Sequence, residues 1–274
     1  MAVIQATKIS KTFFNPSESR AVKTLDDVSF SADKDEFVVL LGPSGCGKST
    51  FLNILAGLTP HDRDGGKVMV HDRTVLAPQP DLIAYMFQDS ILYPWRTVIK
   101  NVELGLETRD MSRAERRERA FKYLDLVGLR AFADHYPRQI SGGMAQRVAL
   151  CRSLALETEI ILMDEPFGAL DEQTRATLGS ELSSICRELK RTVVFVTHSL
   201  AEAAFLGDRI AVFSAQPGRI KIEIKNNLPR PRVMGSPEFR DFVDELWLHL
   251  QGKPDEKPEA GPATGRQASP MGAA

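Results

Sequence analysis

The chain has few cysteines, few tryptophans and no long apolar run. Its 274 residues include three cysteines and two tryptophans. An odd number of cysteines without metal-ligand spacing argues against a disulfide framework and a zinc site, so Cys46, Cys151 and Cys186 are expected to be buried thiols. No apolar run reaches the roughly 20 residues of a membrane-spanning helix. The first residues lack the charged start and apolar middle of a secretory signal, which predicts a chain that stays in the cytosol.

The chain also lacks an excess of charge of either sign. Its formal net charge is -1 at pH 7, and the 43% hydrophobic and 26% charged residues are ordinary for a globular protein. A balanced charge gives no reason to expect nucleic acid or an anionic membrane surface as a partner. The charged residues of the helix predicted after Ser112 have mixed signs, which indicates a solvated surface. We therefore expect no nucleic-acid partner.

The most informative stretch that is present is a glycine-rich loop at 42–50, GPSGCGKST. A strand pattern (37–41) precedes it and a helix pattern (51–56) follows it, which is the context of a phosphate-binding loop. Glycines let backbone N–H groups turn inward, and the helix dipole points its positive end at the same place. Lys48 would reach the outer phosphates and the Ser49 hydroxyl would ligate Mg²⁺. The residues assigned to the nucleotide are Gly42, Pro43, Ser44, Gly45, Cys46, Gly47, Lys48, Ser49 and Thr50.

Two adjacent acids follow another short apolar strand pattern. The strand covers 160–163, and Asp164 and Glu165 come directly after it. Acids on an apolar strand are costly to bury without a cation, so they are expected at its exposed end beside one. Because successive side chains of a strand alternate, one acid can face a metal and the other a water.

Two more strand patterns end in polar residues. The stretch 82–87 ends at Gln88, which alone would more often be a solvent-facing glutamine. The β-branched stretch 192–197 ends at His198. Open α/β sheets bind ligands at such strand ends, so a functional and a structural role for His198 are equally expected from the pattern.

A second potential anion site lies at Ser141, Gly142 and Gly143, which precede a helical pattern from 144 to 150. A serine and two glycines at a helix N-terminus can bind an anion by the same physics as the first loop. An ordinary N-cap with permissive glycines is the local alternative.

Taken in order, these motifs resemble those of the ATP-binding subunits of ABC transporters, over about residues 1–228. The resemblance implies an α/β fold, a P-loop NTPase core of ABC type with an antiparallel β subdomain near the N-terminus. A helical subdomain would be inserted at about 89–157. Residues 229–251 are expected to form a C-terminal extension with a short helix, and 252–274 a disordered tail.

The resemblance also implies a role for each residue of the ATP site. Lys48 belongs to the Walker A loop, Asp164 resembles the acid that holds Mg²⁺ through water, and Glu165 resembles the general base. Gln88 matches the glutamine that senses Mg²⁺ and the transmembrane partner, and His198 resembles the switch histidine that contacts the γ-phosphate. The implied magnesium ligands are Ser49, Gln88 and Asp164.

A dimer is implied by the second anion site, since 141–143 match the signature motif, usually LSGGQ. That motif binds the γ-phosphate of the ATP held by the opposite subunit, so two copies would close head-to-tail around two ATP molecules. Asp171 falls on the loop that crosses the dimer interface. This sequence departs from the common motif in having Ile140 and Met144, which puts a contact by a signature glutamine side chain in doubt.

An aromatic residue before the first polar turn is a candidate for the adenine ring. Phe13 lies where the family keeps its stacking aromatic, and Phe14 competes with it because the turn at 15–20 is long. From the local pattern alone, a core or hairpin role is about as well supported.

Four segments resemble importers of the nitrate, sulfonate, taurine and bicarbonate type. They are 92–98 (LYPWRTV), the SGGM variant of the signature, 167–171 (FGALD) and 228–232 (LPRPR). The resemblance implies uptake of a small solute through separate permease subunits that dock near Tyr93–Trp95, with a periplasmic solute-binding protein as an indirect partner. The chain would lie on the cytoplasmic face of the inner membrane. The alternatives are a soluble ABC-type ATPase of DNA repair or translation, an exporter subunit, and a core role for the aromatics.

Overall fold

The computed structural model describes residues 2–15, 20–62, 66–89 and 91–251. The predicted tail (252–274) and the central residues of the predicted turns at 15–20 and 60–66 lie outside the described residues.

The first sheet is antiparallel and has the order β2-β1-β4-β5. Its strands are β1 (Ala2–Asn15), β2 (Arg20–Asp33), β4 (Lys67–Val70) and β5 (Arg73–Thr74). β1 and β2 form a long hairpin in which Phe13 pairs with Val22. Alternation of apolar and polar residues in the sequence predicts strands only at 3–9 and 28–32. The far part of the hairpin escapes detection because Phe13 and Phe14 are both exposed there, and alternation reveals only strands with one buried face.

The second sheet has six strands in the order β10-β9-β3-β8-β7-β6, with β10 antiparallel at one edge. The strands are β3 (Phe37–Leu41), β6 (Ile83–Met86), β7 (Ile160–Asp164), β8 (Thr192–Thr197), β9 (Arg209–Phe213) and β10 (Ile220–Lys225). In the parallel part, Leu41 pairs with Thr197, and Asp164 pairs with Val196. The glycine-rich loop, the two acids and His198 therefore leave the sheet at one edge.

Both faces of the six-stranded sheet are covered, because its central strands are buried throughout. On one face, Val38 and Leu40 join α1 (Lys48–Leu55) and the antiparallel sheet in one apolar cluster. On the other face, Val39 and Leu41 join a second cluster with the remaining helices. Near-continuous apolar runs are what a parallel sheet covered on both faces requires.

Between β6 and β7 every regular element of the described residues is helical. The α-helices are α2 (Val98–Glu103), α3 (Arg113–Leu126) and α4 (Gly142–Ala155). Ser112 and Glu115 form a capping box, since the Ser112 hydroxyl accepts from the Glu115 N–H and the Glu115 carboxylate accepts from the Ser112 N–H. Ala120 and Leu124, four residues apart on one face of α3, are buried.

The last helices are α5 (Glu172–Glu188), α6 (Leu200–Leu206) and α7 (Pro237–Gln251). Phe239, Phe242 and Leu246 of α7 are buried in the second apolar cluster, as its amphipathic pattern predicts. None of the helices in the described part of the chain is both long and apolar enough to span a membrane.

All three cysteines are free and buried, as predicted. Burial raises the pKa of the Cys186 thiol to about 12, and burial also raises the pKa of Cys151. Both thiols are therefore protonated at neutral pH and act as small apolar side chains.

Candidate active site

An open cavity of about 220 Å³ lies at the carboxyl edge of the parallel strands. Its lining residues are Thr24, Ser44, Gly45, Gly47, Lys48, Ser49, Thr50, Gln88 and Glu165. Every one of them except Thr24 was predicted as a site residue from the sequence. The carboxyl edge of a parallel sheet is where open α/β folds place their ligands.

The glycine-rich loop has the backbone of an anion cradle. Gly45 and Gly47 have φ of 75° and 101°, a region that side chains with a Cβ rarely adopt. Gly47 is also the N-cap of α1, where no side chain caps the helix and no acidic residue occupies the first turn. The first N–H groups of α1 and the positive end of its dipole are therefore available to a negative ligand.

Lys48 holds a positive charge inside this cradle. Its side chain is only 4% exposed, and its Nζ donates to the carbonyl oxygens of Gly42 and Pro43 at 2.8 Å each and lies 3.8 Å from the Cys46 Sγ. These partners are all neutral, and no carboxylate among the described residues forms a salt bridge with Lys48. A buried ammonium whose hydrogen-bond partners are all neutral is costly, so the loop favours an anionic ligand beside it.

Two oxygen ligands for a hard cation meet beside Lys48. The Ser49 hydroxyl donates to Oδ1 of Asp164 at 2.9 Å, across 115 positions of sequence. Burial raises the pKa of the Asp164 carboxyl, and the charge of Glu165 adds to this effect, while the Ser49 hydrogen bond and the charge of Lys48 oppose it. A positive charge at this point would favour the ionised carboxylate.

Glu165 and His198 form a second polar pair at the same edge. The Glu165 backbone has a φ of 43°, and its N–H donates to the Val196 carbonyl oxygen at 3.0 Å. Its Oε2 lies 3.1 Å from the Nδ1 of His198. Asp164 therefore contacts the serine of the loop, while Glu165 contacts the histidine. The two acids have separate partners, but strand alternation is not the reason, because β7 ends at Asp164 and Glu165 follows it with a positive φ.

Gln146 is a residue of this region that the sequence reasoning missed. It is 2% exposed on α4, its Oε1 accepts from the Ala169 N–H at 2.9 Å, and its Nε2 lies 3.5 Å from the Glu165 carbonyl oxygen. The amide therefore ties α4 to the loop that follows β7. The available signal was a polar residue on the same helical face as the buried Ala149 and Leu150.

The residues of the predicted signature lie outside the cavity lining. Ser141 is the N-cap of α4 and accepts from the Met144 N–H at 3.3 Å. Asp171 is the N-cap of α5, and the hydrogen bond from Thr174 lowers the pKa of its carboxyl. A Cβ added at Gly143 would meet the Leu170 side chain at 3.4 Å, so the two helix N-termini lie side by side. Gly142 and Gly143 form the first turn of α4, and Ile140 and Met144 pack partly buried against the core.

The two candidate adenine-stacking residues also lie away from the cavity lining. Phe13 and Phe14 are exposed on the β1–β2 hairpin, and the Nζ of Lys11 lies 5.1 Å from the centre of the Phe13 ring. Both rings present a face to solvent on this hairpin, and the structure favours neither.

The turn between β9 and β10 packs against the glycine-rich loop and supports it. The sequence patterns did not predict these contacts. Gln216, in the turn between β9 and β10, donates from Nε2 to the Gly45 carbonyl oxygen at 3.0 Å. The Gly218 N–H donates to the Thr24 carbonyl oxygen at 2.8 Å. A Cβ added at Gly218 would lie 2.1 Å from the Cys46 carbonyl oxygen, so the chain passes against the loop with no space for a side chain.

Comparison with known proteins places this site in a family. A family model described as ABC transporter matches residues 25–168, more than half of the 274 residues. An uncharacterized ABC transporter ATP-binding protein of Methanocaldococcus jannaschii is 49% identical over 225 residues, covering 82% of this chain and 83% of that protein. The taurine import ATP-binding protein of Rhizobium johnstonii is 41% identical, covering 90% and 96%. The nitrate import ATP-binding protein of Synechocystis sp. is 39% identical, covering 94% and 98%.

Solved structures agree with the sequence comparisons. A dimeric ATP-binding cassette in a post-hydrolysis state, bound to ADP and Pi, matches with a TM-score of 0.74 and 34% identity. The match covers 82% of this chain and 100% of that one. The predicted P-loop fold of ABC type is thereby confirmed. The chain belongs to the ABC transporter family, and it is an ATP-binding cassette ATPase.

Proposed function

We propose that this chain hydrolyses ATP to drive uptake of a small solute through separate membrane subunits. The observation that carries the nucleotide part is Lys48, a buried cation whose hydrogen bonds go only to neutral carbonyl oxygens, in a loop that contains two glycines with positive φ. A triphosphate supplies the opposite charge, and the N–H groups of the loop and of α1 bind its oxygens.

The residues at the cavity fit Mg²⁺ as the accompanying ion. Ser49 and Asp164 present two hard oxygen ligands 2.9 Å apart, and the Gln88 side chain lines the same cavity. Within the described ranges no three His, Cys, Asp or Glu residues form a metal cluster. That suits Mg²⁺, which uses one or two protein carboxylates and takes its other ligands from phosphate and water. Bound there, the ion would neutralise charge on the phosphates.

Glu165 is the residue we assign as general base. A water attacks the γ-phosphorus, its oxygen forms the new bond to phosphorus, the bond to the bridging oxygen of ADP breaks, and Glu165 accepts the proton. Its contact with the Nδ1 of His198 at 3.1 Å holds the carboxylate at the cavity edge. His198 is exposed, so its ring can turn toward a γ-phosphate.

The site is proposed to be completed by a second copy of the chain. Ser141 and Gly143 lie at the N-terminus of α4, outside the cavity that contains Lys48. A helix N-terminus without an acidic first turn favours an anion, and the γ-phosphate held by another copy would be such an anion. Asp171, beside this terminus, would then lie in the interface.

Replacing Lys48 with Ala is expected to weaken ATP binding by about 2 kcal/mol, on the order of 30-fold in Kd, because a charge-assisted hydrogen bond is lost. Titration with a fluorescent ATP analogue measures the change. Lys34→Ala, at an exposed lysine before β3, is the matched control and should bind as the unaltered chain does. Normal binding by the Lys48 variant would contradict the cradle assignment.

The docking surface for a membrane subunit is proposed around Tyr93 and Trp95. Trp95 is 71% exposed, and the two ring centres lie 5.3 Å apart, which argues against the core role considered above. The loop that carries them is fixed by the buried Asn101, whose Oδ1 accepts from the Tyr93 N–H at 2.8 Å. The Asn101 Nδ2 also donates to the carbonyl oxygens of Arg96 and Thr97 at 3.1 and 3.0 Å. A rigid exposed aromatic pair is suited to anchor a partner.

Replacing Trp95 with Ala is expected to reduce recovery of a multi-span membrane protein with the tagged chain from detergent-solubilised membranes, about tenfold or more. Trp247 is the only other tryptophan of the chain and is also exposed, on α7, so Trp247→Ala is the matched control. Equal recovery with both variants would remove the docking surface from 93–95. If the unaltered chain recovers no membrane protein, the soluble ATPase of DNA repair or translation becomes the better proposal.

The transported solute is proposed to be a small anion or zwitterion of the nitrate, sulfonate or taurine kind. The support is that relatives across nearly their whole length are named as nitrate and taurine import ATP-binding proteins. A periplasmic solute-binding protein would deliver it, and the chain would act at the cytoplasmic face of the membrane. Uptake of labelled solute by vesicles that contain the permease, the solute-binding protein and this chain tests both import and solute. Efflux instead of uptake would favour an exporter.

A further inference from the structure

The LPRPR segment at 228–232 contributes to a second pocket that the ATP site does not use. The pocket has a volume of about 400 Å³ and shares no lining residue with the ATP cavity. α5, α6 and the segment after β10 form its walls. Its lining residues are Ser180, Ser183, Ser184, Arg187, Phe205, Arg230, Pro231 and Arg232.

Three guanidinium groups line this pocket, and only one of them, that of Arg230, forms an ion pair with a carboxylate of the described residues. Arg230 donates to Oδ1 of Asp208 at 2.7 Å and to the Ser183 hydroxyl at 3.2 Å. Arg187 and Arg232 form no salt bridge with any carboxylate of the described residues. The pocket therefore carries an excess of positive charge.

Arg232 shows that this charge is poorly compensated. It is 9% exposed, its Nη1 donates to the Phe205 carbonyl oxygen at 2.7 Å, and its Nε has no hydrogen-bond partner in the described structure. Burial, together with the charges of Arg230 and Arg187, lowers the pKa of Arg232 to about 10, while the charge of Asp208 opposes the shift. Because this Nε is enclosed, Arg232 contributes its positive charge to the pocket and not this donor.

A structural role explains only part of this arrangement. Arg230 and Arg232 donate to the carbonyl oxygens of Leu206 and Phe205, the last residues of α6, and such contacts stabilise a helix C-terminus. They do not account for Arg187, which is exposed on α5 and takes no part in capping α6. Ser180 and Ser184, also exposed on α5, add two hydroxyl donors to the same pocket.

We propose that this pocket binds a tetrahedral oxyanion, either free or as the terminal sulfonate or phosphate group of a small molecule. Planar guanidinium forks match the paired oxygens of such groups, and serine hydroxyls supply the remaining donors. The bound anion links α5, α6 and the 228–232 segment, so it stabilises the C-terminal part of the chain. It does not compete with ATP, because the two sites share no residue.

The test is calorimetric titration of sulfate into the full chain. A saturating non-hydrolysable ATP analogue with Mg²⁺ fills the phosphate loop, and NaCl holds the ionic strength constant. Arg187→Gln removes an exposed charge in the last turn of α5 that has no part in capping α6, and Arg113→Gln, at the exposed start of α3, is the control. We expect sulfate to bind the unaltered chain and the control equally, and the Arg187 variant about tenfold more weakly, as loss of one charge-assisted hydrogen bond predicts.

A second variant tests the pocket without removing an arginine. Ser184→Asp places a carboxylate beside the guanidinium groups and should abolish sulfate binding while the melting temperature without sulfate stays the same or rises. Methanesulfonate and glycerol 3-phosphate, titrated in the same way, show whether the anion can carry a substituent. Binding of sulfate alone assigns a free oxyanion, and binding of either organic anion assigns a terminal group. Absence of binding by all three, or equal binding by all variants, would overturn the proposal.

Discussion

Replacing Glu165 with Gln is expected to lower the rate of ATP hydrolysis on the order of 10³-fold and to leave ATP affinity nearly unchanged. The amide has almost the same shape as the carboxylate but cannot accept the proton of the attacking water. Among the described residues the Glu165 side chain forms no hydrogen bond to the glycine-rich loop, and its contact is with the Nδ1 of His198 at 3.1 Å. Binding and turnover should therefore separate in this variant.

Phosphate release at saturating ATP measures the turnover of the Glu165 variant, and equilibrium titration measures its affinity. Glu188→Gln changes an exposed carboxylate at the end of α5 and should hydrolyse ATP at the unaltered rate. If ATP binding closes a dimer that hydrolysis reopens, the slow variant should also accumulate as a dimer in size-exclusion chromatography with ATP. Hydrolysis by the Glu165 variant at the unaltered rate would exclude Glu165 as the base.

The sequence predicts the site residues that lie at the carboxyl ends of strands. Asp164, Glu165 and His198 each follow a short apolar run, and parallel strands bring their carboxyl ends to one edge of a sheet. The glycine-rich loop carries its own local signal, because its glycines and lysine are contiguous. Sequence patterns therefore identify these residues even though 115 positions separate Ser49 from its hydrogen-bond partner Asp164.

The supporting contacts could not be predicted in the same way. Gln146 holds the loop after β7 from α4, and Gln216 holds Gly45 from 171 positions away. Each contact joins a side chain to a backbone atom of a distant segment. Every residue type has the same backbone atoms, so the sequence does not show which of them will be the partner. The same reason applies to Phe13 and Phe14, since stacking on adenine depends on where the hairpin lies and not on the aromatic residue alone.

The contact between the turn at 216–218 and the glycine-rich loop should be important for ATP binding. Gly218→Ala is expected to weaken ATP binding about 100-fold, although residue 218 lies outside the cavity lining. The added Cβ would lie 2.1 Å from the Cys46 carbonyl oxygen and 3.2 Å from the Leu25 side chain. The first neighbour is backbone and cannot rotate away, so the loop or the turn at 216–218 must shift. A displacement of about 1 Å moves the N–H groups out of reach of the phosphates, and such misplacement costs about two orders of magnitude.

Gly179→Ala is the matched control for this prediction, because its Cβ would have no neighbour closer than 3.9 Å. That substitution lies inside α5, where Ala is favoured over Gly by about 0.5–1 kcal/mol, so affinity should stay constant and stability should rise slightly. Circular dichroism and thermal melting show whether the Gly218 variant is folded, and overpacking predicts a loss of about 1–3 kcal/mol. A folded Gly218 variant that binds ATP as the unaltered chain does would mean that the turn yields instead of the loop. The phosphate-binding conformation would then be determined by residues 42–50 alone, independent of their contacts with the turn between β9 and β10.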